Sequence, residues 1–312
     1  MLRRWWASLI AILCVIGLAI PVLIHASHRM KTTPIAEART SASAQGMTHV
    51  TDAVSKKLDV PLDKNHREPM FAHRGFVENY SVVPNSFEAF EAAKEKGCPQ
   101  VELDIRTSKD GVYYISHDAT IKADTGLDRR VDELTSTELD GIRMRNGEYM
   151  HRLSELFDEF GNSLYYLIEF KEPDASALSF RNLLAQYPQV VSHVEVQSFY
   201  PGILSRLDGL MPRMYKQLLV GRHSVLVANL KDDYLDSMAI AKHMATPANV
   251  EKIHEHNKEV WTWTLKKKIN IERDYMAGVD GVITDSPLVV PLAHHYADQI
   301  RTHRLQRAQQ AK

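Results

Sequence analysis

Short apolar runs alternate with amphipathic stretches along most of this chain. The runs have the length and composition of buried strands, and the stretches between them carry apolar residues at helical spacing. The strand-like runs lie at Met70–Ala72, Val101–Arg106, Val112–Ser116, Leu164–Phe170, Val194–Phe199, Arg213–Val220, Met238–Met244, Val260–Leu265 and Gly281–Thr284. Helix-like stretches include 153–160, 249–256 and 271–277. Another begins at Asn85 or Ser86, either of which can cap a helix, and ends before Gly97.

Alternating strands and helices within the length of one domain predict an α/β protein with a parallel (β/α)8 barrel, the TIM barrel. The alternative is a doubly wound open sheet. That fold commonly carries the pattern G-x-G-x-x-G after its first strand, and no such pattern follows here. We therefore assign residues 67–300 to a barrel domain.

The N-terminus has a different character. From Trp5 to Ile24 the chain contains no charged residue, and Arg3 and Arg4 precede this segment. About 20 apolar residues suffice to cross a bilayer, whereas a cleaved signal peptide usually has an apolar core of about 7–15 residues and a small-x-small exit, which is absent here. Residues 1–28 are therefore predicted to form an uncleaved membrane anchor with a single transmembrane helix.

The anchor also predicts where the barrel lies. A very short N-terminal flank with two arginines favours a cytoplasmic N-terminus, which places the bulk of this single-pass membrane protein outside the cytoplasm. Residues 29–66 are rich in Ser, Thr, Ala, Lys and Asp and are predicted to be a linker. Residues 301–312 are predicted to be a polar C-terminal tail.

Composition and charge exclude some classes of partner. The 312 residues carry a formal net charge of −1 and are 44% hydrophobic, which is typical of a globular protein. A near-neutral chain is unsuited to binding nucleic acid through counterion release, so no nucleic-acid partner is expected. The two cysteines, Cys14 and Cys98, lie in different segments and predict no disulfide framework.

Polar side chains lie at or near the ends of several predicted strands, where TIM barrels gather their active sites. They are His73, Arg74, Glu102, Asp104, His117, Glu169 and Lys171. Glu102 and Asp104 are two residues apart, so on a strand they share one face while Leu103 points the other way. Glu169 and Lys171 share a face for the same reason.

These residue types suit the cleavage of a phosphate ester. Three carboxylates can hold a hard divalent cation through oxygen ligands, and two histidines can act as acid and base near neutral pH. Arg74 and Lys171 can meet phosphate charge. Phe199 and Trp263 are expected to pack at the barrel rim, where they are also candidates for a substrate wall.

The chain carries, in order, a series of motifs that resembles the glycerophosphodiester phosphodiesterase family. The resemblance covers most of residues 70–290. The motifs are Phe71-Ala72-His73-Arg74-Gly75, Pro84-Asn85-Ser86-Phe87-Glu88-Ala89-Phe90, Val101-Glu102-Leu103-Asp104, Thr107-Ser108-Lys109-Asp110-Gly111, His117-Asp118, Arg152-Leu153-Ser154-Glu155-Leu156-Phe157, Ile168-Glu169-Phe170-Lys171, Gln197-Ser198-Phe199, Trp261-Thr262-Trp263 and Gly281-Val282-Ile283-Thr284-Asp285-Ser286-Pro287. Each motif is weak alone, and the complete series is specific.

The resemblance implies a TIM barrel with one divalent ion, Ca²⁺ or Mg²⁺, which hydrolyses a glycerophosphodiester to glycerol 3-phosphate and an alcohol. By the same resemblance the metal ligands are Glu102, Asp104 and Glu169, the acid–base pair is His73 and His117, and the phosphate-binding residues are Arg74 and Lys171. The substrate's own glycerol hydroxyl would attack phosphorus, and water would then open the cyclic phosphate.

One position departs from the family pattern. Members usually have Pro-Glu-Asn-Thr after the His-Arg-Gly loop, but Pro84 occupies the acidic position in this chain. Glu78, in the preceding loop, is a candidate replacement. The altered position leaves open a second function, a catalytically weak, membrane-tethered binding module. A third also stays open because the membrane anchor suits it: a phospholipase D-like hydrolase of lysophospholipid or sphingolipid head groups, an activity that related barrels perform.

Overall fold

Eight parallel strands form a closed ring in the computed structural model, which describes residues 58–77 and 82–310. The first strand pairs with both the second and the last strand of the ring, so no edge is left open. The ring consists of β1 Met70–His73, β2 Gln100–Thr107, β4 Tyr165–Phe170, β5 Val194–Ser198, β6 Tyr215–Val220, β7 Ser237–Ala241, β8 Glu259–Leu265 and β9 Gly281–Thr284. The predicted TIM barrel is confirmed, and the open-sheet alternative is wrong.

Helices follow the strands and cover the outside of the ring. The α-helices are Phe87–Glu95, Lys122–Thr125, Ser136–Asp140, Leu153–Phe160, Ala177–Leu184, Pro201–Asp208, His223–Asn229, Pro247–His254, Lys268–Met276 and Val289–Gln310. Short 3-10 turns lie at Val131–Glu133, Gly161–Ser163, Val191–His193 and Lys242–Met244. Ser86, rather than Asn85, caps the first of these helices, since its hydroxyl accepts a hydrogen bond from the Ala89 amide at 3.2 Å.

Along each strand, side chains alternate between the helix layer and the barrel interior, because successive residues of a strand point to opposite faces of the sheet. Leu103 and Phe170 point outward into the main core, whereas their neighbours on both sides point inward. Inside the ring an apolar layer fills the middle of the barrel; it comprises Phe71, Tyr165, Leu167, Leu219, Ala239, Trp261 and Ile283. This layer separates the two ends of the barrel interior.

A network of buried charges occupies the amino end of the interior. The Arg67 side chain is fully buried, donates to Glu195 and Glu259 at 2.6 Å each, and lies 4.5 Å from the ring centres of Tyr215 and Trp261. Arg67 therefore gives a cation partner to two acids that the barrel has removed from water, and Lys64 and Arg304 each lie 3.5 Å from the second of them, Glu259.

Residues 113–152 form an insertion between β2 and β4. Its strand β3, Tyr113–Ile115, pairs antiparallel with β2, and the insertion has a small apolar cluster of its own around Tyr114, Ile121 and Leu139. Glu148 accepts hydrogen bonds from the amides of Phe87 and Glu88 at 2.9 and 3.0 Å, which joins the insertion to the first helix of the barrel.

Both ends of the described chain pack against the barrel. Leu58 and Leu62, at the end of the predicted linker, are buried, and Asp59 accepts a hydrogen bond from the Arg213 amide at 2.9 Å. Residues 301–310, assigned above to a polar tail, continue the helix Val289–Gln310. Arg304 and Arg307 of this helix form ion pairs with Asp280 at 3.2 and 2.5 Å.

The predicted anchor, residues 1–28, lies outside the described residues, as do linker residues 29–57 and Glu78. Among the residues described, none of the helices is both long and apolar enough to cross a membrane. The transmembrane helix and the extracytoplasmic position of the barrel therefore stay predictions.

Candidate active site

Three buried carboxylates meet at the carboxyl end of the barrel. Glu102 and Asp104 project inward from β2, and Glu169 projects from the neighbouring strand β4, where it is in register with Asp104. One oxygen of each of the three carboxylates lies within 4.8 Å of the others. The parallel register of two adjacent strands thus builds a cluster of hard oxygen donors.

The loop after β1 closes over this cluster. The Arg74 amide donates to both the backbone carbonyl of Glu102 and its side chain, at 2.8 and 3.1 Å. Arg74 and Gly75 adopt positive φ angles of 57° and 77°. A Cβ at Gly75 would lie 2.5 Å from the Ala89 backbone carbonyl, so only glycine allows the loop to approach the helix so closely.

Asp104 is the most heavily paired of the three acids. It accepts a hydrogen bond from the Asn85 side chain at 2.8 Å and lies 3.0 Å from Arg74 Nε and 3.3 Å from Lys171 Nζ. Burial alone would raise the pKa of Asp104, but the charges of Lys171 and Arg74 outweigh it and lower the pKa to about 2. Asp104 is therefore a carboxylate near neutral pH.

The other two acids have the opposite tendency. Burial, together with the charge of Asp104, raises the pKa of Glu169 to about 7, although Lys171 Nζ lies only 2.7 Å from it. Burial, followed by the charges of Asp104 and Glu169, raises the pKa of Glu102 well above its usual range. Three carboxylates and two cations thus leave a site that favours a further positive charge.

Each of the two predicted histidines is paired with a carboxylate. His73 Nδ1 lies 2.5 Å from Asp285 Oδ1, and His117 Nδ1 lies 2.7 Å from Asp118 Oδ1. Asp285 also forms an ion pair with Lys266 at 3.0 Å. In both histidines the carboxylate favours a proton on Nδ1, which leaves Nε2 available for chemistry.

The predicted aromatic pair lies at the rim of the same end of the barrel. The rings of Phe199 and Trp263 are 5.3 Å apart in an edge-to-face arrangement. Trp263 is anchored by a hydrogen bond to the Ala239 carbonyl at 2.8 Å, whereas Phe199 is exposed. Packing of the two rings against each other is clear, and a substrate wall stays a prediction.

The structure adds three residues that the sequence did not assign to this site. Asn85 contacts Asp104, Gln197 donates to Glu102 at 2.9 Å, and Asp285 contacts His73. All three residues stand in motifs of the family series given above. Their places in that series were therefore the only indication in the sequence that they belong to the site. Pro84 is exposed beside Asn85 and offers no carboxylate to the cluster.

A buried acid cluster with two histidines, at the carboxyl end of a TIM barrel, has the groups that cleavage of a phosphate ester requires. Comparison with known proteins supplies the family. Residues 73–289 match the model of the Glycerophosphoryl diester phosphodiesterase family, and the chain belongs to that family. It is accordingly an enzyme of the glycerophosphodiester phosphodiesterase class.

Similar proteins carry the corresponding name. A glycerophosphodiester phosphodiesterase from Bacillus altitudinis is 25% identical over 245 residues, covering 70% of this chain and 94% of the relative. Another from Caldanaerobacter subterraneus subsp. tengcongensis is 28% identical over 233 residues, covering 70% and 94%.

Solved structures share the barrel. The Thermotoga maritima glycerophosphodiester phosphodiesterase is 25% identical with a TM-score of 0.61, and the match covers 73% of this chain and 99% of that one. An Oleispira antarctica phosphodiesterase in complex with the product sn-glycerol-3-phosphate is 19% identical with a TM-score of 0.65, covering 72% and 96%. At that identity the second match supports the fold alone.

Proposed function

We propose that this protein is a metal-dependent hydrolase that converts glycerophosphodiesters to glycerol 3-phosphate and an alcohol by histidine acid–base catalysis. The observation that carries the proposal is the cluster of Glu102, Asp104 and Glu169 within 4.8 Å, at the end of the barrel that also carries two carboxylate-paired histidines. Family membership supports the substrate class, of which glycerol 3-phosphate and an alcohol are the expected hydrolysis products.

The acid cluster fits a divalent ion such as Ca²⁺ or Mg²⁺. All its donors are carboxylate oxygens, which these ions prefer, and buried Asp104 Oδ1 accepts no hydrogen bond within the described chain, although Lys171 Nζ lies 3.3 Å from it. With the acids ionised and Arg74 and Lys171 protonated, the group has one net negative charge. A divalent ion and a phosphodiester monoanion would together make it neutral.

The two cations are proposed to hold the substrate phosphate. Arg74 and Lys171 now form ion pairs with the acid cluster, and their side chains are only partly exposed. When bound, the metal ion would act as a Lewis acid that stabilises charge on the phosphoryl oxygens. Arg74 and Lys171 would share that task from the protein side and fix the orientation of the phosphate.

The two histidines are proposed to move the protons. His117 takes the proton of the attacking glycerol hydroxyl through Nε2, while His73 protonates the leaving alcohol; in the second step water attacks and the roles reverse. Asp285 and Asp118 hold the rings in the required tautomer. The base role falls to His117 because burial, with help from Lys171 and Arg74, lowers its pKa.

The pH profile tests this assignment. A base must be neutral to act, so kcat/KM at saturating Ca²⁺ is expected to rise with pH through the pKa of His117, with a midpoint below about 6.5. Asp118 raises that pKa, so Asp118→Asn should move the midpoint lower still. A midpoint that Asp118→Asn leaves unchanged would rule out His117 as the titrating base.

Product release tests the function as a whole. The full-length protein would be given glycerophosphocholine, glycerophosphoglycerol and a lysophospholipid with Ca²⁺, Mg²⁺ or EDTA, and glycerol 3-phosphate would be measured. Release is expected from the water-soluble diesters, to cease in EDTA, and to fall about 10²–10⁴-fold in His117→Asn. Head-group release from lysophospholipid alone would favour the phospholipase D-like alternative. No release from any substrate would favour the binding module.

A further inference from the structure

Three side chains behind the acid cluster form a chain of hydrogen bonds across the barrel interior. The Ser237 hydroxyl donates to Gln217 Oε1 at 3.0 Å, Gln217 Nε2 donates to Gln197 Oε1 at 3.0 Å, and Gln197 Nε2 donates to Glu102 Oε1 at 2.9 Å. These three residues, Ser237, Gln217 and Gln197, are called the interior chain below. Every donor in it points toward Glu102.

Strand register produces the interior chain. Gln197 on β5 is in register with Gln217 on β6, which is in register with Ser237 on β7, so the three side chains are direct neighbours on the interior surface. Gln197 then reaches past β4 to Glu102 on β2. All three residues are at most 1% exposed, so water cannot replace a partner that is lost.

Glu102 differs from the other two acids in how it is held. Within the described part of the chain, Asp104 and Glu169 form ion pairs with Arg74 or Lys171, whereas Glu102 forms none. Among the described residues, its two oxygens accept hydrogen bonds from two neutral donors: the Gln197 side chain in the interior and the Arg74 amide in the loop. A carboxylate has more lone pairs than these two bonds use, so it can still bind an ion.

We propose that Ser237, Gln217 and Gln197 are positioning residues that hold the Glu102 carboxylate in the orientation in which it binds the divalent ion. The inference rests on the proposed function, because a carboxylate that bound no metal would not require this orientation. Ser237 and Gln217 touch neither the proposed metal ligands nor the phosphate-binding cations. They act through Gln197, whose amide is fixed only while Gln217 is fixed.

Metal affinity is the direct test, because it is measured without turnover. Full-length wild type, Ser237→Ala and Gln217→Met would be titrated with CaCl₂, and in parallel with MgCl₂, by isothermal titration calorimetry well below their unfolding temperatures. Removing Gln197, the direct partner of Glu102, would be expected to raise Kd about 10–100-fold. Gln217→Met is one hydrogen bond further away and is expected to raise Kd up to about 10-fold, and Ser237→Ala by less. At saturating ion, kcat should return to the wild-type value.

Ser136→Ala is the matched control. Ser136 is a buried serine of the insertion whose hydroxyl donates to Asp110 at 2.6 Å, outside the interior chain. Its loss should change stability but not Kd. Unchanged Kd in both Ser237→Ala and Gln217→Met, or an equal change in Ser136→Ala, would overturn the inference. If Gln217→Met does not fold, Ser237→Ala decides. A wild type that binds neither ion would instead refute the proposed function.

Discussion

Replacing Glu169 by glutamine is expected to stabilise the metal-free protein and to lower its activity at least about 100-fold. The stabilisation follows from the raised pKa of Glu169, which is about 7 instead of 4.5 because the carboxyl is buried beside Asp104. The folded protein therefore binds this proton more tightly than the unfolded chain does. As pH rises from 4.5 through 7, ionisation costs stability on the order of 2–3 kcal/mol, and glutamine avoids this cost.

The same change should remove the proposed metal site. Glutamine keeps an oxygen for Lys171 Nζ, which lies 2.7 Å from the wild-type carboxylate, but it lacks the charge that attracts a divalent ion. Removing the outer partner of a metal ligand typically lowers metal affinity or activity roughly 10–100-fold. Removing a ligand itself should lower both Ca²⁺ affinity and kcat/KM by at least about 100-fold.

The predicted gain in stability can be measured by urea unfolding of metal-free wild type and Glu169→Gln at about pH 5 and about pH 8. The two proteins should differ in free energy of unfolding only at the higher pH. Titration with CaCl₂ measures the predicted loss of Ca²⁺ affinity, and a rate assay measures the predicted loss of kcat/KM. Asp128→Asn is the control, because Asp128 is an exposed acid paired with exposed Lys122 and should change neither property. A Glu169→Gln protein that is less stable than wild type at the higher pH would contradict the prediction.

Replacing Arg67 by methionine is expected to cost about 3–5 kcal/mol of stability, the loss typical when one partner of a buried ion pair is removed. Arg67 is enclosed between Glu195 and Glu259 with no exposed side-chain surface. Methionine would leave buried Glu195 without a cation partner among the described residues, and would leave Glu259 with only Lys64 and Arg304, each 3.5 Å away. The contacts of the guanidinium with the Tyr215 and Trp261 rings would also be lost.

Urea unfolding followed by circular dichroism measures this loss. Arg301→Met is the matched control, since Arg301 and its partner Asp298 are both exposed and the change should stay within about 0.5 kcal/mol. Arg67→Met/Glu195→Gln should lose less than the sum of the two single variants, because the second change removes one unpaired charge. A loss below about 1 kcal/mol in Arg67→Met would show that the acids find other compensation.

Much of the barrel and of its acid cluster was predictable from local pattern. The helix Leu153–Phe160 and the strand Gly281–Thr284 have the predicted bounds because each depends on residues adjacent in the chain. Glu102 and Asp104 point inward together because a strand has a period of two, and this property survives in any sheet.

Local sequence patterns could not predict the contacts that form only when the barrel closes. His73 and Asp285 are 212 residues apart, and they meet only because the first and last strands pair. The sequence offered Asn85 and Ser86 as equal helix caps; the structure uses Ser86 for the cap and Asn85 for Asp104. Residues 301–310 have a polar sequence, which predicted a tail. Two of their arginines form ion pairs with Asp280, which lies more than 20 residues earlier in the chain.

The apolar layer in the middle of the barrel affects how substrate enters the site and how products leave it. Phe71, Leu167 and Trp261 are buried side chains of this layer, and within the described part of the chain they fill the interior between the acid cluster and the amino end. Substrate and products are therefore expected to enter and leave through the carboxyl end alone. In the proposed two-step reaction the alcohol would then leave through the opening by which water enters, and we expect it to be the first product released.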